Sequence, residues 1–141
     1  MRTNFGNTTQ LVFCRENVDP DVVSRLLDLN PSEALKVGDP AVHTNGAPYI
    51  SHLGLWKLNL PNCDQQSTVE QQIALWIDLL RPRSAALAQL KDMDYSPYLD
   101  CKAEARSLSL CIEPESLKLL GELQVSLSVW LYEQSHAPSA V

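Results

Sequence analysis

Residues 8–15, Thr8-Thr9-Gln10-Leu11-Val12-Phe13-Cys14-Arg15, run directly into Glu16-Asn17-Val18-Asp19-Pro20-Asp21-Val22-Val23-Ser24-Arg25-Leu26-Leu27, and this pair sets the class of the whole chain. In the first stretch Leu11 and Phe13 alternate with Val12 and Cys14, so both faces are apolar. That pattern predicts a strand in the middle of a sheet. Asp19-Pro20 then starts a helix. The Asp19 carboxylate can accept from a free backbone N–H, and Pro20 suits the first helical position. Val22, Val23, Leu26 and Leu27 follow helical spacing, and Asn30-Pro31 is expected to end the helix, since proline disfavours the α conformation in the residue before it.

A short extended piece is expected over residues 31–39, closed by Gly38-Asp39-Pro40, and then a polar loop over residues 40–52 that contains His43, Asn45-Gly46, Pro48, Tyr49 and His52. Loops this long without structure are functional or mobile. Residues 53–60 read as a strand, with Leu55, Lys57 and Asn59 on one face and Trp56, Leu58 and Leu60 on the other. Ser67-Thr68-Val69-Glu70 matches a capping box. Val69, Ile73, Trp76, Ile77 and Leu80 form one apolar stripe, and Pro82 divides it from a second helical run carrying Ala86, Leu87, Leu90 and Met93.

From residue 98 to 112 the alternation changes phase, from Leu99, Cys101, Ala103 and Ala105 to Leu108, Leu110 and Ile112. A strand cannot change parity without turning its side chains over, so a bulge or break is expected near Arg106-Ser107. Pro114 opens a last helix packed through Leu117 and Leu120, with Gly121 as its terminator. Val125, Leu127, Val129 and Leu131 then alternate with Ser126, Ser128, Trp130 and Tyr132 in a final strand. Residues 1–7 are expected to form a flexible N-terminus, residues 8–133 a single α+β domain, and residues 134–141 a disordered tail. Strands joined directly are mixed with strands separated by helices. This order predicts an α+β fold rather than a parallel doubly wound sheet. The expected architecture is a ferredoxin-like sandwich, a mostly antiparallel sheet with helices on one face.

The 141 residues carry 11 Lys and Arg against 17 Asp and Glu, a formal charge of −6. Such a surface repels phosphate backbones, which argues against nucleic acid as a partner. No apolar run approaches the length of a membrane span, and the N-terminus lacks a secretory apolar region, so the expected compartment is the cytoplasm and no membrane contact is expected. Cys14, Cys63, Cys101 and Cys111 are widely spaced, and three of them fall in predicted strands, where a thiol serves as a small hydrophobe.

Chemistry-bearing patterns are weak. A zinc site wants closely spaced ligand pairs, and His43 and His52 are too far apart to form one; a site of His43, His52 and Cys63 stays geometrically open, but ordinary loop histidines are the simpler reading and no metal is expected. No Gly-x-Ser-x-Gly elbow and no phosphate-binding glycine turn is present, so neither a catalytic residue nor a cofactor is assigned. Arg81 and Arg83 flank Pro82 and could clamp an anion; a helix junction with solvated arginines is the simpler reading. The pairs Asp92/Asp94 and Glu113/Glu115 are read as a turn and a helix start. Trp130 and Tyr132 share a parity. They either lie on the sheet face away from the helices, as interface residues would, or pack beneath the loop of residues 40–52.

Asp19-Pro20, Leu29-Asn30-Pro31, Val37-Gly38-Asp39-Pro40 and Leu53-Gly54-Leu55-Trp56, with the helix at residues 69–80 and the run at 87–93, resemble the bacterial domain of unknown function family 4279 over residues 8–133. His43 and His52 stand in the loop where that family's pattern suggests an Arg. The resemblance implies a domain similar to small immunity proteins encoded beside bacterial toxins, which act by binding. The expected function is therefore a non-catalytic protein-binding domain, neutralising a cognate toxin that has a basic surface by occluding it, with Asp39, His43, Tyr49, His52, Trp130 and Tyr132 as contacts. A small-molecule ligand-binding or sensor module is the alternative, and an enzyme built on His43 or His52 comes third.

Overall fold

A computed structural model describes residues 6–61, 67–104 and 110–132. Its centre is β1 (Thr8–Arg15), flanked on one side by β5 (Gly54–Asn59) and on the other by β6 (Tyr98–Glu104). Both neighbours run antiparallel to it. Beyond β5 lies β2 (Glu33–Leu35), also antiparallel, and beyond β6 lies β7 (Ser126–Tyr132), which is parallel. The sheet order is thus β2-β5-β1-β6-β7. The α+β class and the mostly antiparallel sheet agree with the sequence reading. The parallel pair at one edge follows from its connection, since β6 and β7 are joined through a helix rather than a tight turn.

The helices are α1 (Pro20–Leu27), α2 (Val69–Leu80), α3 (Ser84–Asp92) and α4 (Pro114–Leu123). The Asp19 carboxylate caps α1 by accepting from the Asp21 N–H at 3.0 Å. That helix stops at Leu27, earlier than Asn30-Pro31 suggests, because Asp28 takes a left-handed conformation at φ 56° and closes the end. The capping box of α2 is shifted one residue from the predicted one. Thr68 accepts from the Gln71 N–H, and the Gln71 side chain accepts from the Thr68 N–H. Pro82 does divide the long helical region, through a 3-10 turn at Arg81–Arg83. Arg83 is no anion clamp. Its Nε donates to the Leu27 carbonyl and its Nη1 to that of Leu79, both at 2.8 Å, which ties the C-terminal ends of α1 and α2 together. In α4 the terminator is Gln124, left-handed at φ 59°, three residues past Gly121. Leu117 is exposed, and Leu120 with Leu123 makes the packing face.

One sheet face packs against the helices. Leu11, Phe13, Trp56, Leu58, Leu99 and Cys101 meet Val23, Ile73, Trp76, Leu80, Leu90 and Leu120 in one apolar cluster. Phe13 and Trp56 pack edge to face with ring centroids 5.7 Å apart. A polar chain crosses this core. The Trp76 indole N–H donates to the Thr9 hydroxyl at 2.7 Å, and that hydroxyl donates to the Gln72 carbonyl oxygen at 2.8 Å. The Gln72 amide in turn donates to the Asn7 carbonyl. The chain satisfies the polar groups of Thr9, Gln72 and Trp76, as burial requires. Gly6 is buried and its carbonyl accepts from the Tyr132 hydroxyl.

The run at 98–112 resolves as β6 up to Glu104, followed by coil from Leu110 into α4. The expected break at Arg106-Ser107, the Cys63 thiol and the tail at 134–141 lie outside the described residues. Cys111 is exposed in coil rather than in a strand.

Candidate functional site

The sheet face turned away from the helices carries Thr8, Gln10, Val12 and Cys14 of β1, Leu55, Lys57 and Asn59 of β5, Tyr98, Asp100 and Lys102 of β6, and Ser126, Ser128, Trp130 and Tyr132 of β7. The cross-strand register places these in rows: Lys57–Val12–Tyr98–Ser126, Asn59–Gln10–Asp100–Ser128, and Thr8–Lys102–Trp130. Val12 is 2% exposed although it lies outside the apolar cluster beneath the helices, so its neighbours in the sheet cover it.

Trp130 is 61% exposed, whereas Trp56 and Trp76 are fully buried. It forms one wall of a shallow groove of about 450 Å³ whose floor and far side are Tyr98, Asp100, Ser126 and Ser128. One carboxylate oxygen of Asp100, Oδ1, is buried there without a hydrogen-bond partner. An acceptor left in that state costs stability unless something supplies a donor. Burial raises the pKa of the Tyr98 phenol and so disfavours its ionisation, with further upward pushes from Asp100 and Cys14. Tyr132 is half-buried and its hydroxyl donates to the Gly6 carbonyl at 2.7 Å, so it anchors the start of the chain beside the groove.

The other predicted contacts lie elsewhere. Residues 40–52 are not an unstructured loop. They contain a hairpin of β3 (Pro40–Val42) and β4 (Pro48–Ile50). Its turn is closed by the His43 N–H donating to the Ala47 carbonyl at 2.8 Å and by Gly46 at φ 89°. His43 stacks on Tyr49 at a centroid distance of 4.1 Å. The Asp39 carboxylate accepts from the Lys36 N–H and its carbonyl from the Ser51 N–H, so Asp39 shapes the turn into the hairpin. His52 is exposed beside it. This hairpin is inserted between β2 and β5, and Trp130 is on β7. Four interstrand steps separate β2 from β7, about 19 Å at the usual spacing. The structure therefore gathers Asp39, His43, Tyr49 and His52 at one edge and Trp130 with Tyr132 at the other. It also removes the alternative in which the two aromatics pack beneath the hairpin.

The Cys14 and Cys101 thiols sit in the sheet, partly and fully buried. Burial, reinforced by Asp100, pushes Cys101 from 9.0 up to about 12. Burial also raises Cys14, with Lys57 partly opposing it. Raised values suppress the thiolate that nucleophilic chemistry needs. Among the described residues no group of three or more His, Cys, Asp or Glu converges as a metal site, and no helix is long and apolar enough to cross a membrane.

The residues missed in the sequence are Tyr98 and Asp100. Their parity opposite Leu99 and Cys101 already put them on the outward face. What the sequence lacked was the β6–β7 pairing that sets them beside Ser126, Ser128 and Trp130. In comparison with known proteins, a family model described as a domain of unknown function, DUF4279, matches residues 5–134. No curated protein and no solved structure matches.

Proposed function

The chain belongs to the DUF4279 family of domains of unknown function, and we propose that it is a non-catalytic protein-binding domain whose partner docks on the open sheet face at the β6–β7 side. The observation that carries this reading is Trp130, 61% exposed at the wall of a groove. A large aromatic side chain in that position is the kind of anchor on which interface energy concentrates. The net charge of −6 favours a basic partner, because it steers encounter and penalises acidic competitors. In its most specific form the reading is an immunity protein that occludes a basic cleft of a cognate bacterial toxin. The hairpin residues His43 and Tyr49 would be a separate contact at the far edge, reached only by a partner wide enough to span the sheet.

The test is affinity capture from the native host at low salt, with wild-type and Trp130→Ala baits side by side and mass spectrometry of what is held. A basic protein retained by the first bait and lost from the second supports the reading. Equal retention by both, or none by either, counts against it. The unpartnered Asp100 Oδ1 favours a second reading, a module for a small ligand bearing N–H donors. Such a ligand would raise the melting temperature of wild type but not of Asp100→Asn.

A further inference from the structure

β7 is an edge of the five-stranded sheet, and no described strand pairs with its outer side. Its seven residues, Ser126-Leu127-Ser128-Val129-Trp130-Leu131-Tyr132, contain no charge, no proline and no glycine. Trp130 is exposed on one side and Leu131, at 50%, on the other. Natural sheets blunt such edges with charges, proline, bulges or very short strands. The opposite edge does so: β2 has three residues and includes Glu33, ion-paired to Lys57 at 3.7 Å.

The hydrogen-bond phase of β7 is fixed by its inner ladder. The Ser126 N–H donates inward to the Pro97 carbonyl, and Ser126 pairs with Tyr98. Even-numbered residues therefore bond to β6, and Leu127, Val129 and Leu131 present their N–H and C=O outward. We propose that this edge takes a second copy of the same chain. The two β7 strands pair antiparallel about a two-fold axis through Val129, which joins the two five-stranded sheets into one. Leu127 then faces Leu131 of the partner subunit, Val129 faces Val129 of the partner subunit, and Trp130 lies against Ser128 of the partner subunit. All three pairs formed by Leu127, Val129 and Leu131 are of the hydrogen-bonded type, giving about six new backbone bonds.

Three features select a second copy as the occupant. The strand is self-complementary about its middle residue in both side-chain size and backbone phase. The contact has no charge in a chain carrying −6, so two copies meet where their mutual repulsion is not focused. The protected β2 edge stops the pairing from propagating, so the assembly closes as a dimer rather than growing into a filament. A two-fold axis perpendicular to the sheet keeps both open faces on the same side, so the inference does not depend on the protein-binding reading and leaves that face available.

Sedimentation velocity and light scattering from micromolar to millimolar concentration test it, on wild type, Val129→Pro and Leu131→Lys. The Val129 N–H points outward, so proline there removes an edge donor and no inner bond, a placement edge strands tolerate. The expected result is a concentration-dependent dimer for wild type. Both variants should remain monomers with the circular dichroism of the parent, and Leu131→Lys keeps the test open should Val129→Pro misfold. A wild type that stays monomeric throughout, a folded variant that still dimerises, or open-ended polymers would each overturn the proposal.

Discussion

At one edge of the sheet β2 is three residues long, carries a charge, and is followed by a hairpin whose side chains stack on one another. At the other edge β7 is seven residues long, carries no charge, and exposes a tryptophan and a leucine. The first edge spends its polar residues on turns and ion pairs. The second leaves a tryptophan and a leucine exposed, with no described strand paired along its outer side. On the proposed reading, the difference places the molecule's contacts at the β7 side.

Paired substitutions of the same residue type test this most strongly. Trp56 on β5, next to β2, is fully buried and its indole N–H donates to Ser24 at 2.9 Å. Trp56→Ala should cost about 3–5 kcal/mol in chemical denaturation. Trp130→Ala should stay within about 0.5 kcal/mol of wild type, as exposed substitutions do. Acrylamide quenching separates the two sites. Trp130 emission should be accessible, and the fluorescence left in Trp130→Ala should resist the quencher. A Trp130 variant destabilised as much as Trp56→Ala would mean that β7 is part of the core and the contrast between edges fails.

The polar chain beneath the sheet gives a smaller effect. Thr9→Val removes the hydroxyl that accepts from Trp76 and donates to Gln72. Both buried partners are left unsatisfied, at a cost of about 2–3 kcal/mol. Because Gln72 also reaches Asn7, whose neighbour Gly6 holds Tyr132, the same change should speed amide exchange near the end of β7 while sparing β2. Equal loosening of both edges would show that the network does not favour one of them.

Much of this was legible beforehand, for reasons that can be named. The central strand was visible because Leu11, Val12, Phe13 and Cys14 are apolar on both faces, and the outward position of Trp130 followed from alternation against Leu127 and Val129. The start of α1 was carried by Asp19-Pro20. Its end was not, because Asp28 closes the helix in a left-handed conformation that no local residue type demands. Gly121 misled for the converse reason: a glycine near a helix end is only one way of stopping it. The hairpin at 40–50 was hidden because Pro40, Pro48 and Gly46 resemble loop composition, and three-residue strands have too little alternation to detect. The groove depended on strand pairing, which links Tyr98 to Ser126 across 28 positions of sequence and leaves no periodic trace in either segment.

Alkaline titration gives a milder effect, and it is centred on β6, the strand that supports β7. Folded Cys101 keeps its proton up to about 12, whereas the unfolded thiol ionises near 9.0. Between those values the native state binds more protons than the unfolded one, so stability must fall as pH rises. Below that window Cys101 contributes no slope. Cys14 and Tyr98 are raised in the same sense, so Cys101→Ala should lessen the alkaline loss without abolishing it. An unchanged slope in urea unfolding from pH 8.5 to 11 would show that the thiol is not held in a protected site.

The smallest effect on stability belongs to Glu33, and it bears most directly on why the two edges differ. The Lys57–Glu33 contact is 3.7 Å long, and the glutamate is 56% exposed. Pairs of this kind contribute at most about 1 kcal/mol, often nothing measurable. Glu33→Val should therefore leave the unfolding midpoint almost unchanged. If the charge is there to keep a short edge from pairing, the same variant should nevertheless associate further than wild type, because an apolar β2 and an open β7 together give each molecule two adhesive edges. Light scattering should then rise with concentration past the dimer. The double variant Glu33→Val with Leu131→Lys, which closes the second edge again, should return to small species. If Glu33→Val proves as limited in its association as the parent, shortness alone protects β2, and the charge on that edge has no part in keeping the assembly closed.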